Sequence, residues 1–227
     1  MQDYERIRSL ILSYGQDEQG VLGELYRDAV TRGVPVIRPD TKELLRLLLL
    51  MHKPKRILEI GTAVGFSALF MASCLPKAQI TTLELDPDRA AEAEQHICDM
   101  GFKGQIHVVQ GDAAEGLRMM GEDPLKYGLF EDEGFDFAFI DAAKAQYEEY
   151  LSLILPLVSE GALIVSDNVL QDGSILESHF LVEKRDRTIH DRMREYLKRL
   201  TDTPGLTTSI LPVGDGVAVT YVGTQCE

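Results

Sequence analysis

Five short runs, 56–60, 79–84, 105–110, 135–140 and 161–166, are rich in β-branched and aromatic residues and alternate with stretches of helical periodicity. That rhythm constrains the fold more than any other feature. Phe137-Ala138-Phe139-Ile140 and Ala162-Leu163-Ile164-Val165 are apolar at successive rather than alternate positions, so both faces of such strands must be covered. Repeated βα units of this kind imply an α/β, doubly wound, mostly parallel sheet with helices on both sides. The end of the chain differs. Runs 207–211 and 217–222 flank Pro212-Val213-Gly214-Asp215-Gly216, whose Asp-Gly pair predicts a tight hairpin that finishes the sheet with an antiparallel strand.

Residues 1–52 read as helical. Ile7, Leu10 and Ile11 fall at i, i+3 and i+4, and Leu22, Leu25, Tyr26 and Ala29 repeat the spacing. A third helix is predicted from near Asp40, after Pro39, with Asp40 and Glu43 at capping-box spacing and the leucines of 44–50 in the core. Without an internal repeat, low-complexity tract or linker, residues 1–227 read as a single domain, with an N-terminal helical cap over 1–52 and the sheet over 55–222.

Charge narrows the possible partners. With 23 basic and 37 acidic residues the net charge is −14, which repels phosphate backbones and anionic membranes, so any nucleic-acid contact must be local. Cysteines 74, 98 and 226 suggest neither a disulfide framework nor a zinc site, and a reducing cytoplasmic compartment is expected. The longest apolar run, 44–51, is interrupted by Arg46 and falls far short of the ~20 residues that span a bilayer, and the first residues lack signal-peptide form. No membrane partner is expected.

Leu58-Glu59-Ile60-Gly61-Thr62-Ala63-Val64-Gly65-Phe66-Ser67 puts glycines between a strand and a helix, where backbone approaches a ligand closely or packs a turn. A dinucleotide fingerprint would need glycine where Ala63 and Phe66 stand, which disfavours NAD. Glu84, at the end of the second strand, is suited to accept the hydroxyl hydrogens of a ribose, or it is simply solvent-facing. Asp112, in Gly111-Asp112-Ala113, is suited to accept from an adenine amino group or to cap a helix. Three such groups at the ends of neighbouring strands face one crevice, and their convergence points to an adenosyl ligand.

Strands four and five run into Asp141-Ala142-Ala143-Lys144 and Asp167-Asn168. Two carboxylates and an amide oxygen are hard donors suited to part of an Mg²⁺ shell, and helix caps are the plainer alternative. Lys144, three residues past Asp141, reaches the same pocket from one helical turn on, either as a general base or as a fixed charge. Histidines 52, 96, 107, 179 and 190 have neither HExxH spacing nor clustering, and nothing matches a GxSxG or P-loop pattern, which removes hydrolase and NTPase readings.

Together the glycine segment, Ile140-Asp141-Ala142-Ala143-Lys144-Ala145-Gln146-Tyr147 and Ser166-Asp167-Asn168-Val169-Leu170 resemble the cation-dependent O-methyltransferases, among them the catechol and caffeoyl-CoA enzymes. The likeness runs from about Val34 to the 212–216 segment. It implies a Rossmann-like S-adenosylmethionine fold with a seven-stranded sheet. It also implies Asp141, Asp167 and Asn168 as ligands of Mg²⁺ or another divalent cation, and Lys144 with Asp141 as the catalytic residues. Glu59, Gly61, Thr62, Gly65, Phe66, Ser67, Glu84, Asp112, Ala113 and Asp141 are then expected around the cofactor.

Within that family, Val34-Pro35-Val36-Ile37, the Asp-Ala-Ala-Lys-x-Gln-Tyr stretch and the Ile-Leu-Pro-Val-Gly-Asp-Gly ending are most similar to enzymes that methylate 5-hydroxyuridine at the tRNA wobble position. The expected acceptor is therefore tRNA, with a small catechol-like or phenolic substrate as the alternative; both present a vicinal oxygen pair. Residues 183–199 carry seven basic and four acidic side chains, and Lys184, Arg185, Arg187 and Arg192 are the candidate RNA contacts. An exposed helix laced with pairs such as Glu195–Arg199 is the alternative. The acidic 121–134 segment would disfavour RNA if it bordered the substrate mouth. Surplus apolar surface on the N-terminal helices suggests a homodimer, as the resemblance also implies.

Overall fold

The computed structural model describes residues 2–15, 18–127, 134–177, 183 and 187–224. Three helices, α1 (Gln2–Ser13), α2 (Gly20–Thr31) and α3 (Pro39–His52), precede the alternating part. There β1 (Arg56–Ile60), α4 (Phe66–Cys74), β2 (Gln79–Glu84), α5 (Pro87–Asp99), β3 (Ile106–Gln110) and α6 (Ala113–Glu122) lead into β4 (Phe135–Ile140) and α7 (Tyr147–Ile154). The chain continues with β5 (Val158–Ser166), α8 (Arg187–Asp202), β6 (Leu206–Leu211) and β7 (Val217–Val222). The seven strands form one sheet in the order β3-β2-β1-β4-β5-β7-β6, parallel through β5.

The doubly covered sheet follows from the continuous apolar runs. Ile57, Phe137 and Phe139 join one core with α2, α3 and α4, whereas Leu58, Ile60, Ala138 and Ile140 join a second core with α6, α7 and α8. Successive residues on β1 and β4 thus enter opposite cores, as strands buried on both faces require.

The end of the sheet departs from the expected tight hairpin. β7 is the antiparallel strand, but it lies between β5 and β6, pairing Leu163 with Tyr221 on one side and Thr207 with Tyr221 on the other. Residues 212–216 make a wider loop than a two-residue Asp-Gly turn. Positive φ falls at Gly214 (58°) and Gly216 (87°) rather than at Asp215, and the Gly216 N–H donates to the Val213 carbonyl at 2.8 Å. That geometry turns Asp215 inward.

Two N-terminal expectations are also corrected. The N-cap of α3 is Arg38, with no side-chain cap, because the Asp40 carboxylate accepts instead from Arg8 Nε and from the Gly214 N–H, both at 3.0 Å. Of the leucine run, Leu45 and Leu49 are fully buried, but Leu47 and Leu50 are 55% and 50% exposed, so α3 is an ordinary amphipathic helix. The acidic 121–134 segment is described through Tyr127 and at Gly134. The carbonyl of Gly134 accepts from Arg56 Nε at 3.0 Å, at the N-terminal edge of the sheet and opposite the strand ends that carry the candidate site. Residues 128–133 lie outside the described residues. No described helix is long and apolar enough to cross a membrane.

The loop before β7 is a sensitive point. A Cβ on Gly216 would overlap the Leu170 side chain and lie 2.7 Å from its backbone nitrogen, at a φ that L-residues rarely adopt. Gly216→Ala is expected to cost about 2–4 kcal/mol through combined clash and backbone strain, read as a lowered thermal midpoint by circular dichroism.

Candidate active site

The order of strands reverses beside β1, where β2 and β4 flank it, and this opens a crevice above the strand ends. Backbone ladders continue past the strands and fix what faces it. Asp141 N–H donates to the Ile60 carbonyl and Asp167 N–H to the Ile140 carbonyl, each at 2.9 Å, while Gly61 N–H donates to Leu83 at 3.0 Å. Gly61, Asp141 and Asp167 are thereby placed on neighbouring strand ends. Gly61 has φ +100°, and a side chain there would collide with the Asp141 carbonyl. The close approach of the two strand ends is why glycine stands at this position.

Glu84 holds the loop after β1. Its Oε2 accepts from the Ala63 N–H at 2.7 Å, where Ala63 is itself left-handed (φ 47°), and its Oε1 accepts from the Asp86 N–H at 2.9 Å. Beside this clamp lies a cavity of about 300 Å³. Gly61, Thr62, Phe66, Ser67, Glu84, Asp112, Ala113 and Asp141 all line it. Asp112 also caps α6, accepting from the Glu115 N–H at 3.0 Å, which is the helix-cap role read from sequence.

Glu59 and Gly65 do not line the cavity. Gly65 forms the N-cap of α4 with φ 87°. Glu59 lies enclosed beneath the loop, where Thr82 Oγ1 donates to its Oε2 at 2.5 Å and Thr62 and Thr82 hydroxyls meet at 2.6 Å. Among the described residues its other oxygen, Oε1, lies outside hydrogen-bonding geometry, with the Ser67 hydroxyl close enough to oppose the upward shift of the carboxyl. Loss of water pushes the Glu59 carboxyl up to about 7, with help from the Asp141 and Glu84 charges and against the Ser67 and Thr82 hydrogen bonds. Sequence reasoning gave no cavity role to Val36, Leu85, Arg89 or Tyr150, which also line it. Only Leu85, a large apolar residue 67% exposed beside Glu84, is unusual enough to mark a ligand surface.

At the other side of the crevice Asn168 Nδ2 donates to Asp141 Oδ1 at 2.9 Å. Asp167 Oδ1 accepts from the Asn168 N–H at 2.8 Å and from Thr41 Oγ1 at 3.4 Å. Asn168 adopts a left-handed backbone (φ 61°), which turns its amide back toward Asp141. Burial raises the Asp141 carboxyl, opposed by Asn168 and Lys144. Asp167 is pushed up to about 7 by burial first and then by the Asp141 charge. Tyr147 pins these strand ends from below, its hydroxyl donating to the Asp167 carbonyl at 3.0 Å while its ring packs edge-on against Tyr196. Sequence reasoning gave Tyr147 no structural role.

Two crowded carboxylates short of water, with an amide beside them, form an oxygen-rich donor set that a small divalent cation would relieve. Among the described residues no three His, Cys, Asp or Glu side chains gather around a point, so such a site would consist of two carboxylates and the Asn168 amide oxygen. Lys144 reaches this region differently from the expected helical turn. Ala143 is extended (φ −63°, ψ 108°), residues Lys144–Gln146 form a 3-10 turn, and Lys144 Nζ lies 3.4 Å from Asp215 Oδ2.

The basic segment is partly consumed within the fold. Arg192 donates to the Ala145 carbonyl at 3.0 Å and Arg194 to the Ile175 carbonyl at 3.1 Å. Arg199 donates to Ser152 Oγ at 2.6 Å and pairs with Glu148 at 3.6 Å, instead of the expected Glu195. Arg187 opens α8 and also makes interactions within the chain. Lys184, Arg185, His179 and Cys226 lie outside the described residues.

A seven-stranded sheet of this order, with a glycine loop and acidic strand ends at the switch point, is the fold of S-adenosylmethionine-dependent methyltransferases. It superposes on the O-methyltransferase from Bacillus cereus in complex with S-adenosylhomocysteine with a TM-score of 0.81 at 23% identity, covering 96% of this chain and 97% of that one. The sequence profile of the O-methyltransferase family matches residues 13–222, and the chain belongs to that family. A catechol O-methyltransferase from Niastella koreensis is 39% identical over 151 residues, 65% of this chain; the match spans 65%, just under two thirds, of that relative's length. Caffeoyl-CoA O-methyltransferase 2 from Populus trichocarpa is 30% identical over 182 residues, 79% of this chain and 72% of its own.

The buried Glu59 gives the fold a pH dependence. Its folded pKa of about 7 lies above the ordinary 4.5, so the fold favours the protonated form, and that stability is lost as pH rises from near 4.5 through 7. Glu59→Gln, neutral at every pH, is expected to flatten this decline, read as urea midpoints at pH 5 and pH 8.

Proposed function

We propose that this chain transfers a methyl group from S-adenosylmethionine to one hydroxyl of an aromatic acceptor with two vicinal oxygens, at a divalent-cation site made by Asp141, Asp167 and Asn168. The Asn168–Asp141 contact of 2.9 Å carries the reading, because it joins the ends of β4 and β5 where Asp141 also lines the cofactor cavity. Asp141 therefore belongs to both halves of the site. S-adenosylmethionine supplies an electrophilic methyl group on a sulfonium. A bound Mg²⁺ or similar ion supplies Lewis acidity that makes the acceptor hydroxyl easier to ionise.

The residues of the chain do the positioning. Glu84, already set by two backbone donors, presents its remaining lone pairs to the ribose hydroxyls, and Asp112 faces the adenine end of the same cavity. Phe66 and the 35–37 segment enclose the cavity and exclude water. Asp141, Asp167 and Asn168 would hold the cation at the end of the crevice next to Gly61, so that the acceptor binds beside the cofactor cavity and most of the rate comes from orientation and charge. Lys144 adds a nitrogen able to steer an ionising hydroxyl or receive its proton.

A small catechol-like phenol is the acceptor best matched to the family relatives and to a net charge of −14. The wobble 5-hydroxyuridine of tRNA offers the same vicinal pair, and the seven basic residues of 183–199 favour it as the second reading. Against it, Arg192, Arg194 and Arg199 already serve the chain itself. Exposed apolar side chains on the N-terminal helices, including Leu10, Ile11 and Met51, support a homodimer.

Labelled S-adenosylmethionine incubated with a catechol panel and with tRNA lacking the modification separates the two acceptors, and label on neither ends the proposal. Asn168→Ala is expected to abolish turnover that a chelator also abolishes, while S-adenosylhomocysteine still binds by calorimetry. Full activity in excess chelator would remove the cation from the scheme. Glu84→Ala is expected to weaken cofactor binding by roughly tenfold or more, the scale of lost hydrogen bonds to a charged group, and an unaltered dissociation constant would remove its ribose role.

A further inference from the structure

Asp215 binds neither the cofactor nor the cation in the proposed reaction, yet it is a carboxylate with only 4% of its side chain exposed. A buried carboxylate persists only with donors or positive charge nearby. Its Oδ2 lies 3.4 Å from Lys144 Nζ. Lysine has a long flexible stem, and Lys144 rises from a short 3-10 turn with 32% of its side chain exposed, so its nitrogen needs an external anchor to occupy one place.

The loop that carries Asp215 is fastened on two sides. Val169 and Leu170 N–H groups donate to the Gly216 and Asp215 carbonyls at 2.9 Å, tying the loop to the segment just after Asn168. On the other side Asp40 accepts from the Gly214 N–H at 3.0 Å and is itself held by Arg8. The neighbouring Thr41 hydroxyl donates to Asp167. One small set of contacts thus fixes the aspartate beside Lys144 and supports the acidic strand end. Asp215 is not a further acidic ligand, because no three acidic side chains gather around a point among the described residues.

We propose that Asp215 is a positioning residue that fixes the Lys144 nitrogen in the site, and that Asp40 holds the loop which presents it. What the placement serves rests on the proposed methyl transfer, but its test does not. In the full chain without cofactor or added metal, acetic anhydride labelling of Lys144 is followed by mass spectrometry. Asp215→Asn is expected to speed that labelling about tenfold, the scale of a lost charge-assisted hydrogen bond, with the other lysines unchanged. An unchanged Lys144 rate in the folded variant overturns the proposal.

Turnover gives the independent arm. Asp215→Asn is expected to lower kcat about tenfold while acceptor KM and cofactor Kd stay within about twofold, and to add nothing in a Lys144→Met background. An equal loss in both backgrounds would mean that Asp215 acts through the fold and not through Lys144, and the proposal falls. Should Asp215→Asn fail to fold, Asp40→Asn leaves Asp215 in place and loosens its loop; faster Lys144 labelling is expected there too, and an unchanged rate overturns the proposal. If the wild-type chain methylates nothing, the proposed function fails while labelling still decides the role of Asp215.

Discussion

The backbone ladder that runs past the ends of β1, β4 and β5 is the constraint on which the rest depends. Because Asp141 and Asp167 still donate to the strand beside them, their side chains emerge on adjacent rungs above the sheet. A parallel sheet spaces neighbouring strands about 4.8 Å apart, which is close enough for two carboxylates to interact and for Asn168 to join them, its side-chain amide donating to Asp141 and its backbone N–H to Asp167. The hydrogen bonds that stabilise the sheet therefore also bring the chemical groups together. Gly61 is the condition for this arrangement, since any side chain there would meet the Asp141 carbonyl.

Polar groups beneath and around the crevice are held by contacts that reach far along the chain. Tyr147 bonds to the backbone of β4 and to Asp167, Glu84 bonds to the loop after β1, and Asp40 links α1, α3 and the β6–β7 loop. Each of these groups is at least partly removed from water, where an unmade hydrogen bond is costly. Burial first, and neighbouring negative charge second, raise the carboxyls of Glu59 and Asp167 to about 7.

The N-terminal helices contribute more than a cover. Arg8 on α1 and Asp40 on α3 brace the loop of Asp215, and Thr41 supports Asp167, so a segment remote in sequence from the strand ends helps to shape the Asp167 side of the crevice. The basic face of α8 has a comparable double use. Its arginines join the helix to α7 and to the preceding turns, which is a structural reason for positive residues that charge counting alone reads as a nucleic-acid surface.

Sequence alone determined the parallel sheet, because successive apolar residues in 137–140 and 162–165 can be satisfied only between two layers. It also determined which oxygens end the strands, since Glu84, Asp112, Asp141 and Asp167 fall at or within two residues of the ends of their β-rich runs. Tertiary structure decided the rest. The place of β7 between β5 and β6, the inward turn of Asp215, the partner of Lys144 and the diversion of Asp40 from helix cap to loop clamp all depend on contacts between residues far apart in the chain. Local pattern carries periodicity and turn chemistry, but the partner of a buried charge is chosen by which distant segment the packed cores bring within hydrogen-bonding distance.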